Sequence, residues 1–345
     1  MADLSVNYMG LKLKNPIIAG SSGLMNSIRE LKEVAEHGAG AVVLKSIFEE
    51  QIRHETEKMI NEQQDNRMAP MQKGLGNIMD TRPYDFAEAL DYISNFAKEH
   101  TLNEYLNFIT EAKKAIDIPV IASINCVTPY DWHYFARRIQ AAGADAIELN
   151  IYILPSNPEK LGADNEKVIF EVAEAVRKMV SIPVSVKVSY YYSGLAHTMV
   201  ELSNSGIKGL VLFNRPFHPD ININTLELTT EHLLSDANEY SHTLRWMAIL
   251  AGRVGCDLVA STGIHNYESA VKQILAGATA VQMVSAIYKN GASSISDAIK
   301  GMESWMDSKG FKTVADFRGK LSQVNIANPA EFERVQFMKL YSKIV

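Results

Sequence analysis

Cysteine is nearly absent from this 345-residue chain. Cys126 and Cys256 are its only two, they stand in unrelated contexts, and neither a disulfide framework nor a zinc cluster can be built from them. An iron–sulfur cysteine set is missing too, so coupling to such a centre would require a partner chain. No stretch approaches the roughly 20 apolar residues needed to span a bilayer. The opening MADLSVNYMG lacks a basic region followed by an apolar run. A soluble protein of the cytoplasm, with no membrane contact, is therefore expected. Charge of one sign is not concentrated either. The net charge is -6 and Lys and Arg are scattered, which leaves no basic stripe for nucleic acid. His197, His218 and His265 are dispersed without metal-ligand spacing, so no metal is expected. Internal repeats, low-complexity segments and linkers are lacking, which points to one domain over residues 1–345.

What the chain does have is a recurrent pattern. Short β-branched runs occur at 15–19, 41–45, 119–123, 146–150, 183–187, 209–213, 257–261 and 280–284. Segments with helical spacing lie between them, among them 27–37, 132–142, 166–180 and 267–276. Continuous apolar strands alternating with amphipathic helices predict a parallel sheet covered by helices. Eight such units fit a closed α/β (β/α)8 TIM barrel better than an open sheet. Leu4–Leu13 reads as a short hairpin turning at Met9-Gly10 and plugging the barrel bottom. Glu49–Phe96 and Pro216–Tyr240 are long insertions after the second and sixth strands. They fall on the C-terminal face, where barrel enzymes place their chemistry.

Polar residues at the ends of core strands are the informative signal, because a charge there must be paired or used. Lys45, Asn125, Asn150, Lys187 and Asn214 end the second to sixth strands, and Ser261-Thr262-Gly263 and Ser285 end the last two. One such lysine reads as a rim salt bridge. Two of them, converging with several carboxamides, predict a polar pocket that could neutralise an anionic ring or form an imine. Gly263 would let backbone N–H groups approach a phosphate just before a helix starts near Asn266. Together with Val284-Ser285 this is the usual phosphate site of a barrel. Cys126, after the third strand, reads as a small buried hydrophobe or a pocket residue.

At this point the chain resembles the dihydroorotate dehydrogenase family, class 1, over nearly its whole length. Leu11-Lys-Leu-Lys-Asn-Pro16 with Ser22-Gly23 is similar to the family's first strand and flavin-contacting turn. Leu44-Lys45-Ser46 resembles its Thr-Lys-Ser, Glu148-Leu-Asn150 its Glu-Leu-Asn, and Val184-Ser-Val-Lys187 the strand whose lysine lies by the flavin. Ser261-Thr-Gly-Ile264 and Met283-Val-Ser285 take the positions of the phosphate loops, and Lys309–Leu321 is similar to the class 1 tail. The resemblance implies FMN as cofactor, a small anionic substrate and a homodimer. By it, Ser22, Gly23, Lys45, Ser46, Asn125, Asn150, Lys187, Asn214, Thr262, Gly263, Val284 and Ser285 are expected at the cofactor.

The departures concern the substrate side. The family places its general base, a Cys, in Asn-Leu-Ser-Cys-Pro-Asn, whereas this chain reads Asn150-Ile-Tyr-Ile-Leu-Pro-Ser156, with Ile153 at the base position. Isoleucine has no lone pair for a proton. Loss of such a base forfeits about 10²- to 10⁴-fold in rate. The substrate asparagine that follows is missing, and 66–77 lacks the family's flap pattern. Val284 stands for a glycine, the seventh strand shows one Gly where the family has two, and Asn238–Trp246 replaces a Gly-rich stretch. Proton acceptance would fall to Ser156, Tyr152, Cys126 or water, with Lys45, Asn150 and Ser156 as the catalytic candidates. The leading expectation is an FMN-dependent oxidoreductase acting on a C–C bond. The alternatives are a flavin-binding partner protein without dehydrogenase activity, serving electron transfer or regulation, and a flavin-free aldolase-like barrel using Lys45 or Lys187.

Overall fold

A computed structural model of the chain describes residues 2–48, 101–125, 132–216, 218–229 and 233–333. The expected insertion at 49–96, its flap pattern at 66–77 and Cys126 lie outside the described residues.

The eight β-branched runs form the staves of a closed parallel barrel. In chain order, the hairpin strands are β1 (Val6–Tyr8) and β2 (Leu11–Leu13), followed by β3 (Ile17–Ala19), β4 (Ala41–Val43), β5 (Ile47–Phe48), β6 (Val120–Asn125), β7 (Ala146–Ile151), β8 (Val184–Val188) and β9 (Gly209–Leu212). A second hairpin, β10 (Asp220–Asn222) and β11 (Glu227–Thr229), precedes β12 (Asp257–Ala260) and β13 (Ala280–Met283). The barrel runs β4-β3-β13-β12-β9-β8-β7-β6, and pairing of β4 with β6 closes it. β4 and β5 are two pieces of one stave. Both pair with β6, first at Val42↔Val120 and Val43↔Ile121, then at Ile47↔Ile124 and Phe48↔Asn125. Three residues on one strand against two on the other, Ala122 and Ser123, make a bulge at Leu44-Lys45-Ser46, a device that re-aims side chains near functional sites.

Side-chain alternation explains both surfaces of the barrel wall. Ile147, Leu149 and Ile151 of β7 and Val184, Val186 and Val188 of β8 pack outward against the helices. The inward set begins with a small apolar layer of Ile18, Ala41, Val43, Ile121, Ala146, Val211, Val259 and Ala280. Tyr8, Met9 and Leu13 of the first hairpin fill this layer from below. The hairpin expected from Leu4–Leu13 is thus the barrel plug, turning at Met9 (φ 55°) and Gly10 (φ 85°). Gly209 opens β9 because a Cβ there would lie 2.9 Å from the Tyr8 hydroxyl and 3.0 Å from its ring.

The helices start and stop where local chemistry directs. The Ser27 hydroxyl accepts from the Glu30 N–H at the start of Ile28–Glu36, and Asn266 caps Tyr267–Ala276 through the Ser269 N–H. The tail then ties the ends together: Asp3 bridges Thr313, Phe317 is buried, and the Gly319 and Leu321 N–H groups donate to Ile274 and Leu275. The hairpin β10–β11 occupies the insertion expected at Pro216–Tyr240. Among the described residues no helix is long and apolar enough to cross a membrane.

Candidate active site

The inward file of each strand is apolar at the plugged end and polar toward the other. Along β7 it reads Ala146, Glu148, Asn150; along β8, Ser185, Lys187; along β13, Ala280, Gln282, Val284; along β6, Ile121, Ser123, Asn125. Glu148 is 1% exposed, Gln282 2% and Lys187 6%. These three meet across the lumen. Lys187 Nζ donates to Gln282 Oε1 at 2.9 Å, and Gln282 Nε2 donates to Glu148 Oε2 at 2.5 Å. Lys187 Nζ stands 3.9 Å from Glu148 Oε1. Burial pushes the Lys187 ammonium below the usual lysine range, and the Glu148 carboxylate pulls it back up. Burial likewise pushes Glu148 up, opposed by Lys187 and then by the Gln282 amide.

A second network lies toward the open end. Asn214 Nδ2 donates to Asn150 Oδ1 at 2.5 Å, and Asn150 Nδ2 donates to the Ser46 hydroxyl at 3.4 Å. Ser46 Oγ lies 2.7 Å from Ser123 Oγ and 3.2 Å from Ser21 Oγ, while its N–H donates to Ser21 Oγ at 3.1 Å. One hydrogen-bonded chain therefore links the ends of β9, β7, the bulge, β6 and β3.

At the rim, Thr262 (φ 75°) and Gly263 (φ 76°) are both left-handed. For a β-branched threonine that backbone is an outlier of the kind found at functional turns. Among the described residues the N–H groups of Thr262, Gly263 and Ile264 donate to no other group. The Thr262 hydroxyl donates to the Phe213 carbonyl and Ser285 Oγ accepts from the Ser235 N–H, which locks the turn against its neighbours.

A cavity of about 560 Å³ connects the lysine to this turn. Ser22, Gly23, Lys187, Asn214, Thr262, Gly263, Val284 and Ser285 line it. Lys45 and Ser46 instead line a neighbouring cavity of about 320 Å³, with Tyr105. Asn150 is bonded to the lining of the larger cavity through Asn214 and to that of the smaller one through Ser46, and Asn125 ends β6 half-buried. Ser156 stands exposed on the loop after β7, and Ile153 packs partly buried against the core. Trp132 is core, and Trp305 packs tilted against Phe311 and edge-on against Phe317.

Gln282, Arg215 and Ser235 of the lining, and Glu148 behind it, were not singled out from the sequence as site residues. Gln282 and Glu148 carry the signal of a polar residue inside an apolar strand with the parity of the strand-end residues. Arg215, held at 3.0 Å by Glu239 of the long insertion, and the backbone around Ser235 within that insertion carry no such signal. His265, one of the dispersed histidines, places Nε2 3.0 Å from Ser235 Oγ. A third cavity of about 410 Å³ adjoins at Asn214, Arg215 and Thr262. Its aromatic wall is Tyr190, Phe213 and His242, with ring centroids 4.7 to 5.9 Å apart.

Known proteins of similar sequence fall in one family. The family pattern described as dihydroorotate dehydrogenase matches residues 3–306. A protein of Thermoplasma acidophilum named dihydroorotate dehydrogenase B (NAD(+)), catalytic subunit, is 29% identical over 330 residues, covering 92% of this chain and 99% of its own. Proteins of the same name from Pyrococcus abyssi (27% over 329 residues, 92% and 98%) and Caldicellulosiruptor saccharolyticus (26% over 329 residues, 93% and 99%) are also similar.

Proposed function

Because the chain belongs to the dihydroorotate dehydrogenase family, we propose that it is an FMN-dependent oxidoreductase that oxidises a C–C bond of a small anionic substrate. The observation that carries this reading is one cavity with a lysine on its floor and an anion-receptive turn at its rim. The donor set suits FMN: three amide N–H groups without partners among the described residues meet a phosphate, while Lys187, Asn214 and Gln282 offer charge and amides to a polar ring edge. When bound, FMN supplies the two-electron acceptor.

The protein's own residues do the rest. Thr262, Gly263, Val284 and Ser285 hold the phosphate end, and Ser22 and Gly23 wall the cavity beside them. Lys187 opposes negative charge on the ring. The chain Asn214–Asn150–Ser46 fixes the polar edge and relays its order to the bulge. Lys45, lining the neighbouring cavity, attracts the anionic substrate. Proton acceptance is the weak element. Ile153 cannot take a proton, Ser156 stands away from the cavities, and burial together with Tyr191 raises the Tyr152 phenol above its usual range. Dihydroorotate turnover is therefore slow, by about 10²- to 10⁴-fold relative to a site with a dedicated base. A single domain over 1–345, a cytoplasmic location, a homodimer and an electron-transfer partner complete the proposal. Coupling to an iron–sulfur centre would have to run through such a partner, because the two cysteines of this chain cannot hold one.

The test is an anaerobic absorbance titration of the FMN-loaded protein with dihydroorotate. Bleaching over minutes, unaffected by Ser156→Ala, is expected. Bleaching within a second would refute the missing-base argument, and a colourless protein that takes up no FMN would refute the flavin reading. A spectrum that stays oxidised would favour the flavin-binding protein without dehydrogenase activity, the reading that Ile153 supports.

A further inference from the structure

Two buried groups support Lys187 at the floor of the cavity: Gln282, which lines it, and Glu148, which lies behind and has no part in the proposed chemistry. Glu148 and Gln282 stand on opposite walls of the barrel, on β7 and β13, and their side chains meet in the lumen. The Gln282 amide is fixed at both ends, accepting from Lys187 and donating to Glu148. Turning it over would set its NH₂ against the Lys187 ammonium and its oxygen against the Glu148 carboxylate. The hydrogen bond to Gln282 holds one Lys187 proton, and the 3.9 Å gap to Glu148 Oε1 is too long for a second bond. The ammonium therefore keeps donors for the cavity that it lines. Glu148 Oε1 has no hydrogen-bond partner among the described residues.

A carboxylate this deeply buried stays charged only against a cation, and a buried ammonium only against an anion. The other titratable groups that sense Glu148, Tyr8 below it and Tyr105 beside it, are phenols whose burial holds them neutral. The charge balance of the lumen thus rests on Glu148 and Lys187, with Gln282 setting the direction of the ammonium.

We propose that Glu148 and Gln282 are positioning residues, which keep Lys187 charged and aimed into the cavity so that reduced FMN binds in preference to oxidised FMN. The inference rests on the flavin reading above. Its signature is a sign. The Glu148 carboxylate alone would repel the added negative charge of reduced FMN, so its direct effect lowers the reduction potential and its removal should raise it. Acting through Lys187, its removal should instead lower the potential.

The experiment is a dye-referenced measurement of the midpoint potential of bound FMN in the wild type, Glu148→Gln, Gln282→Met, Lys187→Met and the double variant Glu148→Gln/Lys187→Met. We expect Glu148→Gln to lose at least tenfold of the preference for reduced FMN, about 30 mV lower for a two-electron couple. Gln282→Met, which keeps both charges and nearly the same volume, should move the potential the same way. The double variant should fall no further than Lys187→Met. An unchanged or raised potential in Glu148→Gln would overturn the inference, and so would an unchanged potential in Gln282→Met should Glu148→Gln fail to fold. In either case normal FMN uptake by the wild type would leave the flavin reading standing. A wild type that takes up no FMN would overturn both.

Discussion

One methyl group at Gly263 tests the rim turn. The backbone there has φ 76°, and a Cβ added to it would sit 2.2 Å from the Tyr240 amide nitrogen and 2.8 Å from the Glu239 carbonyl carbon. Both are main-chain atoms at the start of the helix Tyr240–Leu250, so no flexible side chain can swing aside. Relief requires the turn and the helix start to part by about 1 Å, and the left-handed backbone costs alanine a further ~1 kcal/mol. The N–H groups of Thr262, Gly263 and Ile264 move with the turn. Each hydrogen bond to a charged phosphate is worth about 1.5–3 kcal/mol, so losing two costs ~3–6 kcal/mol. At about 1.4 kcal/mol per decade, Gly263→Ala weakens FMN binding by at least ~100-fold. Riboflavin, which lacks the phosphate, serves as the internal control, and its affinity should change by less than about threefold, within ~0.6 kcal/mol. Quenching of flavin fluorescence, titrated with protein stripped of flavin, gives both constants. A folded Gly263→Ala variant that keeps its FMN affinity would refute the reasoning. An equal loss for both flavins would show that the turn does not hold a phosphate.

The barrel plug gives a stability prediction: Leu13→Ala empties a fully buried position in the bottom layer and should cost about 2–5 kcal/mol in urea unfolding. A loss below ~1 kcal/mol would mean that the layer collapses around the gap. The Cys256 thiol, pushed up to about 12 chiefly by burial and then by Asp257, should react with a disulfide reagent at pH 8 at least ~100-fold more slowly in the native Cys126→Ser protein than after unfolding. Equal rates would place that thiol in solvent. His265 is held below the usual histidine range by burial first and Lys289 second. The unfolded chain therefore takes up this proton before the native one does, so stability falls as pH drops below about 6.5 toward the native value. His265→Asn should flatten that part of a thermal-melting profile, and an unchanged slope would assign it to other groups.

How much of this was legible in the sequence follows the same physics. The staves were readable because strands buried on both faces are continuous apolar runs, and all eight expected runs coincide with barrel strands within a few residues. Lys187, Asn214, Thr262 and Gly263 were readable because polar residues at the ends of such runs stand out. Glu148 and Gln282 have the same parity two residues deeper, as Glu148 precedes Asn150 and Gln282 precedes Val284. Reading the inward file along its length, rather than its last residue, would have found them. The bulge was not legible. Nothing in Leu44-Lys45-Ser46 announces an extra residue, yet it turns Lys45 and Ser46 toward the neighbouring cavity. The contributions of Arg215 and Ser235 depend on how a long insertion folds back, which no local period encodes.

The two halves of the site also differ in what holds them. The phosphate end and the lysine floor are built from strand ends, a capped helix and a tight turn, so each side chain there is fixed by the barrel register and by hydrogen bonds spanning several staves. The segment proposed for the proton acceptor, 152–156, is a loop anchored by β7 on one side and an exposed run on the other, with Leu154 53% exposed and Ser156 in solvent. A substitution there disturbs no stave, no lumen charge and no cap. The scaffold can therefore retain a cofactor cavity while the residues that define a substrate change beneath few constraints, and the departures at Ile153 and Ser156 fall where barrel packing permits them. It follows that restoring a base should be a local matter: Ile153→Cys, at a half-buried position on that loop, should raise the rate of dihydroorotate bleaching by at least about tenfold without moving the FMN affinity, because general-base gains of 10²–10⁴ are made at the substrate alone. No gain in a variant that still binds FMN would place the substrate elsewhere than beside this loop.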